Sequence, residues 1–122
     1  MHTYPLPPSS NRYWRHAGGR VYVSDEAKAY KQTVAMLARV DGAKVLTGPV
    51  AVAVAVYRAR KAGDLDNYLK ILLDALQGVC YANDSQVREI HATLHDDRHS
   101  PRVEVAVTSL RVADRFRKLS FS

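Results

Sequence analysis

Between Gly48-Pro49 and Tyr57 the chain reads Val50-Ala51-Val52-Ala53-Val54-Ala55-Val56, with a β-branched residue at every second position. Side chains alternate across a strand with a period of two, so the valines share one face, whereas a helix would scatter them around its axis. The run predicts a β-strand, and a strand must find neighbours for its backbone donors and acceptors.

Those neighbours are legible. Val87 to Leu94 and Arg102 to Leu110 read as two further strands, with His99-Ser100-Pro101 at the turn between them. Tyr13 to Val23 reads as a hairpin, because Tyr13, Trp14, Val21, Tyr22 and Val23 flank Ala17-Gly18-Gly19, where glycine permits positive φ. Before it, Pro5-Leu6-Pro7-Pro8-Ser9-Ser10-Asn11 cannot continue a helix or enter a central strand, which predicts an extended loop. Ser24 is placed to cap a helix over Ala27 to Val40, with Asp25 and Glu26 complementing its dipole and Tyr30, Val34, Leu37 and Ala38 as its buried stripe. A second helix runs from Asp66 to about Gln77, with apolar positions Leu65, Leu69, Leu72, Leu73, Leu76 and Val79, and Gly78 weakens its end. This order predicts an α+β domain of two layers, a mixed sheet with two helices packed on one face. All 122 residues fall in that one domain, with 110–122 as a basic tail that is either frayed or in contact with phosphates. A domain of this size buries roughly 65% of its unfolded surface, enough for a modest core that a dimer interface would reinforce.

Eighteen Lys and Arg against twelve Asp and Glu give a formal charge of +6, which draws the molecule toward polyanions, nucleic acid first among them. Cys80 is the sole cysteine, so neither an intrachain disulfide nor a cysteine-based zinc or iron–sulfur site is available. No apolar run approaches the ~20 residues that span a membrane, and the N-terminus has no signal-peptide core, so a cytoplasmic location is expected.

Against this basic background, acids concentrate in Asp64-Leu65-Asp66-Asn67-Tyr68-Leu69-Lys70, continuing through Asp74 to Asn83-Asp84-Ser85-Gln86-Val87. On a helix Asp66, Lys70 and Asp74 advance only ~40° per four-residue step and form one polar ridge opposite the leucines. Asp64 would point elsewhere if helical, but an extended approach lets it converge with Asp66 at the helix start. Converging carboxylates repel one another and call for a cation, and Mg²⁺ is the natural one, held by one or two carboxylates plus phosphate oxygens and water. Lys70 is placed to stabilise charge on a phosphoryl group. Each piece also has a plainer role: Asp64 as a helix cap, Asp66 as a dipole partner, Lys70 with Asp74 as an i,i+4 pair and Asp84 as a turn residue.

Two separated motifs carry a resemblance. Pro7-Pro8-Ser9-Ser10-Asn11-Arg12-Tyr13-Trp14-Arg15 resembles the N-terminal signature of RusA-like Holliday junction resolvases, and Asp64-Leu65-Asp66-Asn67 with Lys70, Asp74-Ala75-Leu76 and Asp84-Ser85-Gln86-Val87 resembles their catalytic segment. The resemblance runs from about residue 5 to residue 107. It implies a bacterial or phage-encoded homodimer that nicks opposing strands of a four-way junction in DNA recombination and repair. It implies Asp64, Asp66 and Asp84 as ligands for Mg²⁺, with Mn²⁺ as a substitute, and Lys70 as the catalytic lysine. Asn67 and Asp74 take supporting roles. Where some members carry two adjacent acids this chain has Asn83-Asp84, so Asn83 is either a neutral ligand or a turn former.

For holding DNA the candidates are Asn11, Arg12, Arg15, Arg20, Arg58, Arg60 and Lys61, which flank the acidic segment or belong to the N-terminal signature. Tyr13 and Trp14 either wedge against an exposed base pair or pack in the core or a dimer, and packing is favoured. Two alternatives compete with a structure-selective endonuclease. One is a non-catalytic branched-DNA-binding module; the other is a metal-dependent nucleotide-processing enzyme, disfavoured because no Gly-rich phosphate loop is present.

Overall fold

The computed structural model describes residues 1–8, 14–17, 20–61 and 63–110, with 14–17 and 20–23 described by their backbone. The alternating valines form β4 (Val50–Arg58), an inner strand of a four-stranded sheet that also contains β1 (His2–Tyr4), β5 (Val87–Asp96) and β6 (Arg102–Ser109), in the order β1-β6-β4-β5. β6 runs antiparallel to both its neighbours, while β4 and β5 are parallel. A parallel pair needs a crossover, and α2 (Leu65–Leu76) supplies it. The predicted hairpin is β2 (Trp14–Ala17) paired with β3 (Arg20–Val23) as a separate ribbon, and α1 (Asp25–Val40) follows it.

One face of the sheet makes the core. Val50, Val52 and Val56 are fully buried, Val54 nearly so, and β6 adds Val103 and Val105, registered opposite Val56 and Val54. Each such valine contributes roughly 1.5–3 kcal/mol relative to an exposed position. The alanines between them point away, and Ala53 is exposed. Helix α1 covers this face with Ala27, Tyr30, Val34 and Ala38. Its predicted cap is in place, since Ser24 Oγ accepts from Ala27 N at 3.2 Å. The Tyr30 hydroxyl donates to Pro5 O at 2.8 Å, tying the proline-rich entry segment to the helix.

The stripe of α2 differs from the leucine pattern. Its buried residues are Tyr68, Ile71, Leu72, Ala75 and Leu76, an i, i+3, i+4, i+7, i+8 series, while Leu65, Leu69 and Leu73 pack only partly, on one shoulder. The helix is rotated because it packs against α1 as well as the sheet, and a Lys31–Asp74 ion pair at 2.7 Å links the two helices. Weighing leucines alone missed Tyr68, Ile71 and Ala75.

No helix among the described residues is long and apolar enough to cross a membrane.

Candidate active site

The loop after β4 determines how α2 begins. Arg58, the last residue of β4, is registered opposite Asp96 of β5, and its Nε donates to Asp96 Oδ1 at 2.7 Å. Its Nη1 donates to Gly63 O at 2.9 Å, so one guanidinium closes the strand ends and grips the residue before Asp64. The bond from Nε holds the Asp96 carboxyl below its ordinary value. Gly63 has φ +85°, and a Cβ there would meet the Tyr68 hydroxyl at 2.9 Å. Left-handed backbone and a close approach both call for glycine.

Asp64 occupies the N-cap position of α2 in extended conformation, φ −95° and ψ 156°, yet its side chain makes no capping hydrogen bond. A capping aspartate would normally accept from an N–H of the first turn and stabilise the helix by about 1 kcal/mol. Here the carboxylate is exposed. Asp66 stands in the first turn, also exposed. The strand-to-helix junction expected from the sequence is therefore present.

Asp84 comes from the other end of the crossover, on a 3-10 turn (Asp84–Gln86) leading into β5. Asn83 caps that turn, its side chain accepting from Ser85 N at 3.0 Å, which makes it a turn former. Gln86 completes the capping box, its Oε1 accepting from Ala82 N and Asn83 N, each at 2.9 Å. The Asp84 side chain itself is exposed. It lines a cavity of about 420 Å³ with Lys70, Asp74, Leu73, Val87 and Ile90. Burial pushes up the Tyr81 hydroxyl, with smaller contributions from Cys80, Asp84 and Asp74. Tyr81 donates to Leu73 O at 2.7 Å, anchoring the segment before the turn to α2.

Lys70 thus stands between the two groups of acids, one helical turn or ~6 Å of rise from Asp66 and on the wall shared with Asp84. Among the described residues no hydrogen bond or ion pair engages the carboxylates of Asp64, Asp66 or Asp84, and no three of His, Cys, Asp and Glu group closely enough to hold a metal ion. The donors suit a hard cation that takes one or two carboxylates and completes its shell with water and phosphate oxygens; they do not form a closed all-protein cage. Asp74 is tied to Lys31, and Asn67 is half-buried in the first turn of α2.

Of the expected DNA contacts, Arg60 and Lys61 are exposed in the loop before Gly63. Arg58 is engaged inside the protein, with its side chain 18% exposed. Arg15 and Arg20 belong to β2 and β3, described in backbone only. Asn11, Arg12 and Tyr13, the side chain of Trp14, and the tail 111–122 lie outside the described residues. Sequence reasoning missed the anchoring by Arg58 and by Gln86. Only Gln86 left a signal, as the third residue after a capping Asn83.

The sequence matches the family described as Endodeoxyribonuclease RusA over residues 5–108. It is similar to the crossover junction endodeoxyribonuclease RusA of Escherichia coli (strain K12), with 33% identity over 111 residues that cover 88% of this chain and 92% of that protein. The protein of the same name from Enterobacteria phage 82 is 32% identical over the same extent, as is that of Shigella sonnei.

Proposed function

Because the chain belongs to the RusA family of endodeoxyribonucleases, we propose that it resolves four-way DNA junctions by paired, Mg²⁺-dependent nicks in opposing strands, acting as a homodimer in DNA recombination and repair. One observation carries this reading: Asp64 sits at the N-cap of α2 without capping it. A carboxylate that forgoes about 1 kcal/mol of helix stabilisation and faces solvent beside Asp66 is available to a ligand.

Asp64 and Asp66, at the start of α2, and Asp84, on the wall of the Lys70 cavity, are the carboxylates that would hold Mg²⁺, without one ion having to reach all three; the metal when bound polarises the phosphodiester and neutralises its charge. Mn²⁺ has the same preference for oxygen donors and would substitute. Lys70, on the wall it shares with Asp84, places an ammonium where negative charge grows on the phosphoryl oxygens. Arg60 and Lys61 would bind flanking phosphates from the loop that leads into Asp64, with Asn11, Arg12, Arg15 and Arg20 contributing from the N-terminal region. Two-fold symmetry in the protein would match two-fold symmetry in the junction. A cytoplasmic setting in a bacterium or phage-infected cell accompanies the proposal.

The test is cleavage of a labelled synthetic four-way junction, with and without Mg²⁺, by wild type and Asp66→Asn, beside a linear duplex. Paired nicks from wild type with metal, and junction binding without nicking from Asp66→Asn, are expected; equal cleavage by Asp66→Asn would remove Asp66 from the site. A non-catalytic branched-DNA-binding module is favoured by the lack of a three-ligand group among the described residues, and it predicts tight junction binding with no nicks in Mg²⁺ or Mn²⁺.

A further inference from the structure

We infer that Gln86 is a positioning residue for Asp84, fixing the only acid of the site that does not come from α2 or its cap. The inference rests on the metal-binding reading of Asp84.

Gln86 uses both ends of its amide. Oε1 accepts from Ala82 N and Asn83 N at 2.9 Å, closing the 3-10 turn on itself. Nε2 donates to Leu46 O at 2.9 Å and Gly48 O at 2.8 Å, reaching a segment 38–40 residues earlier in the chain. Leu46 is itself held, since its N–H donates to Cys80 O at 2.9 Å. The turn is therefore tied to the segment that enters β4, which in turn is tied to the segment that leaves α2.

A carboxylate on a 3-10 turn has little else to fix it. Asp84 is exposed and makes no side-chain hydrogen bond among the described residues, and three-residue 3-10 helices have poor internal hydrogen-bond geometry. Its direction toward the Lys70 cavity follows from the backbone that carries it; Asn83 closes that backbone locally, and Gln86 is the side chain that ties it to Leu46 and Gly48. Partners one step removed from a metal ligand typically change metal affinity or activity 10–100-fold when lost. Gln86 acts on the ligand's backbone, so the lower end of that range is expected.

Mn²⁺ affinity, read from the electron paramagnetic resonance signal of the free ion, and the Mg²⁺ concentration giving half-maximal junction cleavage are compared for wild type, Gln86→Met, Asp84→Asn and the double variant. Gln86→Met keeps the side-chain length and removes all four bonds. It should weaken Mn²⁺ binding and raise half-saturating Mg²⁺ about tenfold while leaving the KM for the junction unchanged. In the Asp84→Asn background it should add no further loss of Mn²⁺ affinity, because a residue acting through Asp84 has nothing left to position. Should Gln86→Met fail to fold, Gln86→Glu retains the acceptor bonds to Ala82 and Asn83 but sets a carboxylate oxygen against the Leu46 and Gly48 carbonyls, and a loss of the same kind is expected. Wild-type metal dependence in the folded variants would overturn the role of Gln86 and leave the nuclease reading standing. Absence of both Mn²⁺ binding and cleavage in the wild type would instead overturn the metal reading, and the inference with it.

Discussion

Gly63→Ala tests how the start of α2 is built. Two costs add. A non-glycine residue at φ +85° loses about 1–2 kcal/mol to the clash of its Cβ with the backbone. The new methyl would also lie 2.9 Å from the Tyr68 hydroxyl oxygen, 3.0 Å from Cζ and 3.2 Å from Cε2. Tyr68 is only 8% exposed, within the buried stripe of α2, so its ring cannot swing freely and displacing it costs about 1–3 kcal/mol. Together the two come to about 3 kcal/mol, or roughly 10 °C in Tm for a domain of this length. Gly78→Ala is the matched control, with the same φ of +85° but nothing within 4 Å of its would-be Cβ, so it should lose only the backbone part. Urea denaturation of both variants separates the terms. Tyr68→Phe should recover part of the excess in the Gly63→Ala background by removing the nearest atom, a coupling that a double-mutant cycle measures. Equal losses for Gly63→Ala and Gly78→Ala would refute the Tyr68 contact as the reason for glycine here.

Acid should loosen the far end of β4 and β5. The hydrogen bond from Arg58 lowers the Asp96 carboxyl, and the one from Arg102 lowers Asp97. Groups depressed on folding stabilise above their unfolded pKa, near 3.8 here, and lose that contribution as pH falls through the lower folded value. Thermal melts from pH 5 to pH 2 should therefore show an acid limb that is shallower in Arg58→Gln, and identical limbs would contradict the Arg58–Asp96 linkage. Asp74→Asn breaks the half-exposed pair with Lys31, so urea titration should find a loss of at most about 1 kcal/mol. Its junction cleavage should fall less than that of Asp66→Asn, and an equal collapse would place Asp74 among the catalytic acids.

The alternating valines made β4 legible because a half-buried strand writes its burial directly into period two. Ser24 with Asp25 and Glu26 announced α1 for an equally local reason, a cap and a dipole. The buried face of α2 was harder to read, since six apolar positions on its leucine pattern compete and only the placement of α1 decides that Ile71 and Ala75 outrank Leu65 and Leu69. Arg58 was the least legible residue. A basic side chain between acidic motifs in a protein of charge +6 suggests phosphate, and its partners, Asp96 and the Gly63 carbonyl, are fixed by the pairing of β4 with β5, which no local pattern encodes. The acids themselves were visible as a string; the absence of a cap bond at Asp64 is a property of geometry alone.

The crossover explains why the site needs two separate anchors. β4 and β5 are parallel, with Val50 opposite Val87 and Arg58 opposite Asp96, so α2 must run back along the sheet between them. Asp64 consequently lies beyond the end of β4, and Asp84 just before the start of β5, at opposite ends of a twelve-residue helix that rises ~18 Å. No local turn can bring such residues together. Lys70, in the middle of α2, is the point both ends can approach, Asp66 from one turn above and Asp84 across the cavity. Each end then carries its own device: Arg58 grips Gly63 at one, and Gln86 grips Leu46 and Gly48 at the other. Since the two devices share no partner, perturbing one should leave the other intact. The losses of Arg58→Gln and Gln86→Met in stability should therefore add.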